Sequence, residues 1–121
     1  MIVKDNTNKV YTELSEHIKA LYPTLKSGQT YSENVKLPYM YFTSFDGTTA
    51  LSDLSNNEVA RNVAYQIEVY SDTGLNFARK ISNDIREYMI GQGYRCRAFL
   101  PLDSQDSKVS RFVSRYARLD V

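Results

Sequence analysis

The chain has few of the residues that build disulfides, metal sites and membrane spans. Its 121 residues include one cysteine, Cys96, one histidine, His17, and no tryptophan. A single cysteine excludes an internal disulfide and argues against a cysteine-ligated zinc site. Apolar runs are only a few residues long, too short to span a bilayer, and the first residues lack the apolar stretch of a signal peptide. We therefore expect a reduced, intracellular, soluble protein with no membrane partner.

Residues suited to catalysis are also scarce. His17 has no second histidine at metal-binding spacing and lies at the margin of an apolar helical stripe, so we interpret it as a boundary or surface residue. Cys96 alternates with apolar neighbours, where a free cysteine packs as a small apolar side chain. Gly91 and Gly93 follow a helix, and its C-terminal dipole would repel a phosphate. The sequence predicts neither an enzyme nor a bound metal or cofactor.

Length, tyrosine content and charge distribution are the positive features. A chain of this length normally forms one domain, here residues 1–121, and ten of its residues are tyrosine. Residues 1–60 contain five Lys against seven Asp or Glu, a net −2, whereas residues 61–121 contain ten Lys or Arg against seven Asp or Glu, a net +3. The simplest interpretation of the basic half is a solvated sheet face. The alternatives are an acidic partner or nucleic acid.

Helical periodicity occurs twice. One helix is predicted from about Asp5 to Leu21, and a second ends at the glycines at positions 91 and 93. Ser71, Asp72 or Thr73 is expected to cap the start of the second helix. The side chains that should pack into the core from these helices are Val10, Leu14, Ile18, Leu21, Leu75, Ala78, Ile81, Ile85 and Met89.

Alternating patterns predict four strands, at 38–45, 61–71, 94–102 and about 109–120. In the third, Tyr94, Cys96, Ala98 and Leu100 should share one face, opposite Arg95, Arg97 and Phe99. Residues 46–58 are polar and predict a long loop. Short links between successive strands favour antiparallel pairing. The expected fold is therefore α+β, a two-layer sandwich whose mainly antiparallel sheet carries two helices packed on one face.

Arginine and aromatic residues interleave in the last two predicted strands, a mixture that can stack bases and neutralise phosphates. The residues concerned are Arg95, Arg97, Arg111, Arg115, Tyr94, Phe99, Phe112 and Tyr116. The pI of about 7.8 is below the usual basic footprint of nucleic-acid-binding domains. Alternation also places most of these arginines and aromatics on opposite faces. A nucleic-acid-binding domain is therefore an alternative of a different class.

Six segments, in order along nearly the whole chain, form a recognisable series. They are the leading helix "VYTELSEHIKALYP", the proline-led strand "LPYMYFTSF", the strand "YQIEVYS" that passes at once into the helix "NFARKISNDIREYM", then "GYRCRAFLPL", and the closing strand "RFVSRYARLDV". In this order the chain resembles the tail-terminator (tail-completion) proteins of long-tailed bacteriophages and related prophage elements. Loop 46–58 and link 102–109 align least clearly.

The resemblance implies an α+β subunit of a ring, commonly a hexamer, that docks on the last ring of the tail tube. Such a ring ends tail polymerisation and presents a surface to the head connector. The implied partners are other copies of the chain, the tail-tube protein and head-completion or connector proteins, with DNA passing through the lumen without specific binding. The implied location is the tail–neck junction of the virion, after assembly in the host cytoplasm. A head-completion, stopper or other neck protein would also assemble as a ring and is the nearest alternative.

A protein that works through interfaces should be defined by contact residues and not by a pocket. We expect the strands around Tyr39, Tyr41 and Tyr65 and those around Arg111 and Arg115 to form the seam between subunits. Loop 46–58 and link 102–109 are expected to reach toward the tube or the connector. For each tyrosine, ordinary core packing is the alternative. The full set of predicted interface residues is Tyr39, Tyr41, Thr48, Leu51, Leu54, Tyr65, Arg95, Arg97, Asp103, Asp106, Arg111 and Arg115.

Overall fold

The computed structural model describes residues 7–30, 35–45, 61–103 and 108–120. Two helices and five strands follow one another along these residues. In chain order they are α1 (Thr7–Leu21), β1 (Lys26–Gly28), β2 (Tyr39–Phe45), β3 (Arg61–Ser71), α2 (Leu75–Gly91), β4 (Arg95–Leu102) and β5 (Ser110–Asp120).

The strands form one sheet in the order β1-β2-β3-β5-β4. Every neighbouring pair is antiparallel except β1 and β2, which run parallel. Both helices contribute their apolar stripes to the same core as the sheet. The predicted α+β two-layer sandwich is therefore confirmed. The three-residue strand β1 is an addition, because it is too short to produce an alternating pattern.

The core lies between the helices and one face of the sheet. In β3 the alternation of side chains points Tyr65, Ile67 and Val69 into it, each at most 1% exposed. Phe42 of β2 is fully buried, with its ring centroid 5.0 Å from that of Tyr65 and 5.5 Å from that of Tyr11 of α1. Because Phe42 joins both layers, truncating it to alanine would cost about 3–5 kcal/mol.

The helix α1 buries its predicted stripe only in part. Leu14 and Ile18 are fully buried, but Leu21 is 53% exposed, so its predicted place in the core is wrong. The helix ends at Leu21, and the chain then turns. Tyr22 and Leu25, which are 8% and 4% exposed, close this end of the core instead.

The helix α2 buries Ala78, Ile81, Ile85 and Met89 as predicted, whereas Leu75 is only half-buried. Its predicted side-chain cap is wrong. Gly74 occupies the N-cap position, with no side-chain hydrogen bond to the helix. The hydroxyl of Ser71 accepts a hydrogen bond from the Thr73 backbone N–H at 3.0 Å, so it supports the turn that leads into the helix. At the other end Gly93 has φ +94°, a conformation that favours glycine.

Strand β4 contains a bulge that changes which side chains face the core. Cys96 pairs with Tyr116 and Ala98 with Arg115, which leaves Arg97 as an extra residue. Beyond the bulge the pattern is reversed. Phe99 faces the core, with its ring 4.6 Å from that of Phe112, while Leu100 is 41% exposed. The predicted grouping of Ala98 and Leu100 with the core residues of this strand is therefore wrong.

Candidate interaction surface

The side of the sheet opposite the helices forms the candidate site, and we call it the open sheet face. Cross-strand pairing arranges its side chains in rows that run from β2 through β3 and β5 to β4. In order, the three rows are Tyr39, Tyr70, Arg111 and Leu102; Tyr41, Glu68, Val113 and Leu100; and Thr43, Gln66, Arg115 and Ala98.

A buried carboxylate occupies the centre of the open sheet face. Glu68 is only 4% exposed. Its Oε1 accepts hydrogen bonds from Arg111 Nε at 2.5 Å and from the Tyr70 hydroxyl at 2.9 Å, and Arg111 Nη2 is also 2.5 Å away. Its Oε2 accepts a bond from Gln66 Nε2 at 2.9 Å. A charge removed from water must be paired and hydrogen-bonded, and neighbouring side chains on the same face meet that requirement.

The ion pair is buried unequally. The Arg111 side chain is 27% exposed and that of Glu68 is 5% exposed. Burial by itself lowers the pKa of Arg111, but the hydrogen bond and charge of Glu68 outweigh this, so the pKa is raised. Arg111 also lies 6.0 Å from the centroid of the Tyr70 ring, within cation–π range. Arg111 is therefore held as a fixed cation that can still reach a partner.

A second arginine joins the same network. Arg115 Nε donates to Gln66 Oε1 at 2.8 Å, and the amide of Gln66 then donates to Glu68. Gln66 orients both groups, since its oxygen accepts from one side chain while its nitrogen donates to the other. The open sheet face thus presents two positioned guanidinium groups.

Apolar surface lies beside these charges. Leu100 and Leu102, at the β4 end of the first two rows, are each 41% exposed. Val113, between Glu68 and Leu100 in register, is 3% exposed. Arginine and aromatic residues are enriched at protein contact surfaces, and here Arg111 and Tyr41 share a face with the two exposed leucines.

The predicted seam tyrosines have three different environments. Tyr41 lies half-buried on the open sheet face, so its role in the seam stays a prediction. Tyr39 is on the same face but 7% exposed, and its hydroxyl donates to the Thr30 carbonyl. Tyr65 is 1% exposed and packs against Phe42 on the helix side, so its prediction as a seam residue is wrong.

The predicted charged residues are divided between surfaces. Arg111 and Arg115 lie together on the open sheet face, whereas Arg95 and Arg97 are exposed on β4. Asp103 is exposed just after β4, and its backbone carbonyl lies 3.5 Å from Arg111 Nη1. Four predicted interface residues lie outside the described residues, namely Thr48, Leu51, Leu54 and Asp106.

Sequence reasoning missed a second set of arginines on the side of the sheet that the helices cover. Arg79, Arg86 and Arg118 each stand over an aromatic ring there. The seven-residue spacing of Arg79 and Arg86 could have revealed their common side of α2, since two helical turns separate them. Arg118 lies on β5, 24 residues after Tyr94, so the sequence pattern does not predict its position over the Tyr94 ring.

The residues considered for chemistry are dispersed. His17 is exposed and lies against Tyr88, with ring centroids 4.7 Å apart, while Cys96 is half-buried in β4. Over residues 7–30, 35–45, 61–103 and 108–120, no three His, Cys, Asp or Glu side chains come together in a group able to hold a metal ion. Neither of the helices described is long and apolar enough to cross a membrane.

The fold and this surface define a class, an α+β two-layer sandwich with one sheet face that neither of the described helices covers. Neither the models of known protein families nor the curated proteins compared with the chain give a match.

Proposed function

We propose that this chain is a structural protein of a long-tailed bacteriophage virion, not an enzyme, and that copies of it form a ring on the end of the tail tube. The ring ends tail polymerisation and provides the docking surface for the head connector. The resemblance of the ordered segments to tail-terminator proteins supports the family. The observation that carries the interface function is the open sheet face, where the buried carboxylate of Glu68 holds the partly exposed Arg111 beside exposed leucines.

The open sheet face is suited to being covered by a partner. Leu100 and Leu102 lose contact with water when another subunit packs on them, which is favourable in proportion to the apolar area buried. Glu68 is already desolvated in the single chain. Covering the Glu68–Arg111 pair therefore adds less desolvation cost than burying two freely hydrated charges.

The size of the open sheet face sets how much of an interface it provides. Four strands about 4.8 Å apart and seven residues of about 3.3 Å give a face of roughly 14 by 23 Å. This is about two-fifths of the ~800 Å² that one partner contributes to a standard interface. A closed ring buries two different patches per subunit. We assign the open sheet face to one of these two patches. The proposed partners of the chain are other copies of itself, the tail-tube protein and the connector.

The direct test is electron microscopy of the purified chain mixed with purified tail tubes. We expect ring density at one end of each tube and no further elongation when free tube protein is added. Native mass spectrometry of the complex would give the subunit number, which the resemblance puts at six. Tubes that stay bare and keep growing at saturating concentrations of the chain would contradict the proposal.

A pull-down distinguishes a terminator from another neck protein. Purified tail-tube protein and the portal-side adaptor are each immobilised and offered the chain. Retention on the tube protein supports the terminator function. Retention on the adaptor alone would instead assign the chain to head completion, the nearest alternative.

A further inference from the structure

Three arginines stand over aromatic rings along the flank where α2 meets β4 and β5, and we call them the arginine row. The distances are 5.8 Å from Arg79 Cζ to the Phe112 ring centroid, 5.3 Å from Arg86 Cζ to that of Phe99 and 4.6 Å from Arg118 Cζ to that of Tyr94. All three lie within the range at which a guanidinium is attracted to a ring face.

The arginine row follows the axis of α2. Arg79 and Arg86 are seven residues apart, which places them about 10 Å apart along the helix. Arg118 reaches the far end of the helix, where its Nη1 donates to the Gln92 carbonyl at 3.0 Å. From Arg79 to Gln92 the row therefore extends over about 20 Å.

Two arginines of the row, Arg79 and Arg86, carry charges that no nearby carboxylate of the described residues neutralises. Arg79 and Arg86 are exposed, and within the described part of the chain neither has a carboxylate at ion-pair distance. The rings restrict the long side chains, so less conformational freedom is lost when the guanidiniums bind a partner. These two arginines are ordered cations with open hydrogen-bonding edges.

We propose that the arginine row binds an acidic segment of a protein partner, whose carboxylates are spread over a length similar to that of the row. The planar fork of arginine matches a carboxylate with two parallel hydrogen bonds. The backbone positions of Arg79 and Arg86 are about 10 Å apart along α2, a spacing that acidic side chains two helical turns apart on a partner would match. The proposal does not rest on the proposed function, since it requires only the row.

Two observations favour a protein over a nucleic acid. The ring faces of Phe99, Phe112 and Tyr94 are occupied by guanidiniums, so bases cannot stack on those same faces. Three phosphate contacts would give a salt slope of only about −2.7, whereas proteins that depend on phosphate contacts make about six to ten. The nucleic-acid interpretation of the sequence pairs these rings with other arginines, which lie on β4 and on the open sheet face.

The test is fluorescence anisotropy with a labelled fourteen-residue peptide that alternates Glu and Ser. The same peptide with Gln in place of Glu is the uncharged control. We expect Arg79→Gln with Arg86→Gln to weaken binding of the acidic peptide at least tenfold. The matched variant Lys9→Gln with Lys19→Gln, which removes two exposed cations from α1, should change it less than twofold. Equal effects of the two double variants, or equal binding of both peptides, would overturn the proposal.

A twenty-base-pair DNA duplex is the second probe. Binding of the duplex tighter than that of the acidic peptide, and lost in the Arg79→Gln, Arg86→Gln variant, would replace the protein partner with a nucleic acid. Arg79→Lys with Arg86→Lys keeps both charges but removes the guanidinium fork. It should weaken acidic-peptide binding by an intermediate factor, and it carries the test if the glutamine variant does not fold. Ring formation on tail tubes, measured for the same variants, reports separately on the proposed function.

Discussion

Glu68 and Arg111 are diagonal neighbours on the open sheet face, joined across β3 and β5 with Arg111 Nε 2.5 Å from Glu68 Oε1. The pair lies at the centre of the sheet, yet on the side that the helices do not cover. A buried carboxylate there is held by side chains of its own face. Disturbing either partner should therefore change the stability of the single chain as well as any assembly.

A double-mutant cycle measures this pair. Glu68→Leu leaves Arg111 without its carboxylate and should cost about 2–3 kcal/mol of unfolding free energy, below the 3–5 kcal/mol of a fully buried pair because Arg111 keeps some contact with water. The double variant Glu68→Leu, Arg111→Met removes both charges and should cost less than Glu68→Leu alone. Urea denaturation of Glu68→Leu, of Arg111→Met and of the double variant gives the three changes in unfolding free energy. Additive single effects would show that the two residues do not interact.

The sequence predicts the direction of Glu68 but not its burial. Alternation in β3 places Tyr65, Ile67 and Val69 on one side and Glu68 on the other, as observed. Burial of Glu68 depends on Arg111, 43 residues further along the chain, and on the pairing of β3 with β5. A pattern within one strand carries no information on such a partner.

Two other differences have local causes that periodicity does not report. In β4 the bulge at Arg97 shifts the pattern by one residue, so Phe99 and Leu100 exchange the faces predicted for them. In α1 the last helical residue, Leu21, remains outside the core because Tyr22 closes it. At a bulge, one extra residue moves every following side chain of the strand to the opposite face.

A charge reversal on the open sheet face tests its assignment to the ring. Arg115 is exposed, so Arg115→Glu should cost less unfolding free energy than the change at the buried Glu68 does. It should nevertheless reduce the ring, measured by native mass spectrometry in the presence of tail tubes. Lys19→Glu on α1 is the charge-matched control and should leave the ring intact. An unchanged oligomer in Arg115→Glu would remove Arg115 from the seam.

The stability of the chain should fall at alkaline pH, in part because of Tyr22. Burial raises the pKa of this hydroxyl, and its hydrogen bond to Asp84 and the charge of that carboxylate raise it further. A raised pKa means that the folded state favours the neutral phenol. The contribution is therefore complete below about pH 10, the ordinary tyrosine value, and is lost as the pH rises toward the folded-state pKa.

Urea denaturation at pH 8 and pH 10.5 tests this contribution. Tyr22→Phe removes the titrating group, so the variant should lose less unfolding free energy between the two pH values than the parent chain does. At pH 8 the variant should be about 1 kcal/mol less stable, because the bond to Asp84 is gone. The remaining pH dependence includes Tyr39 and Tyr116, whose pKa values burial also raises. Parallel profiles for parent and variant would show that Tyr22 contributes nothing.

Ser82 of α2 is a position where a single change should stabilise the chain. Its side chain is fully buried, and its hydroxyl has no hydrogen-bond partner within the described residues. An unpaired buried hydroxyl costs about 1–3 kcal/mol, and alanine is also the better helix former. Ser82→Ala should therefore raise the unfolding free energy by about 1 kcal/mol, measured by urea denaturation. Ser114→Ala is the control, since that buried hydroxyl donates to the Ile67 carbonyl at 3.4 Å, and it should be neutral or destabilising. A loss of stability in Ser82→Ala would mean that the hydroxyl binds a buried water molecule, which the alanine variant can no longer hold.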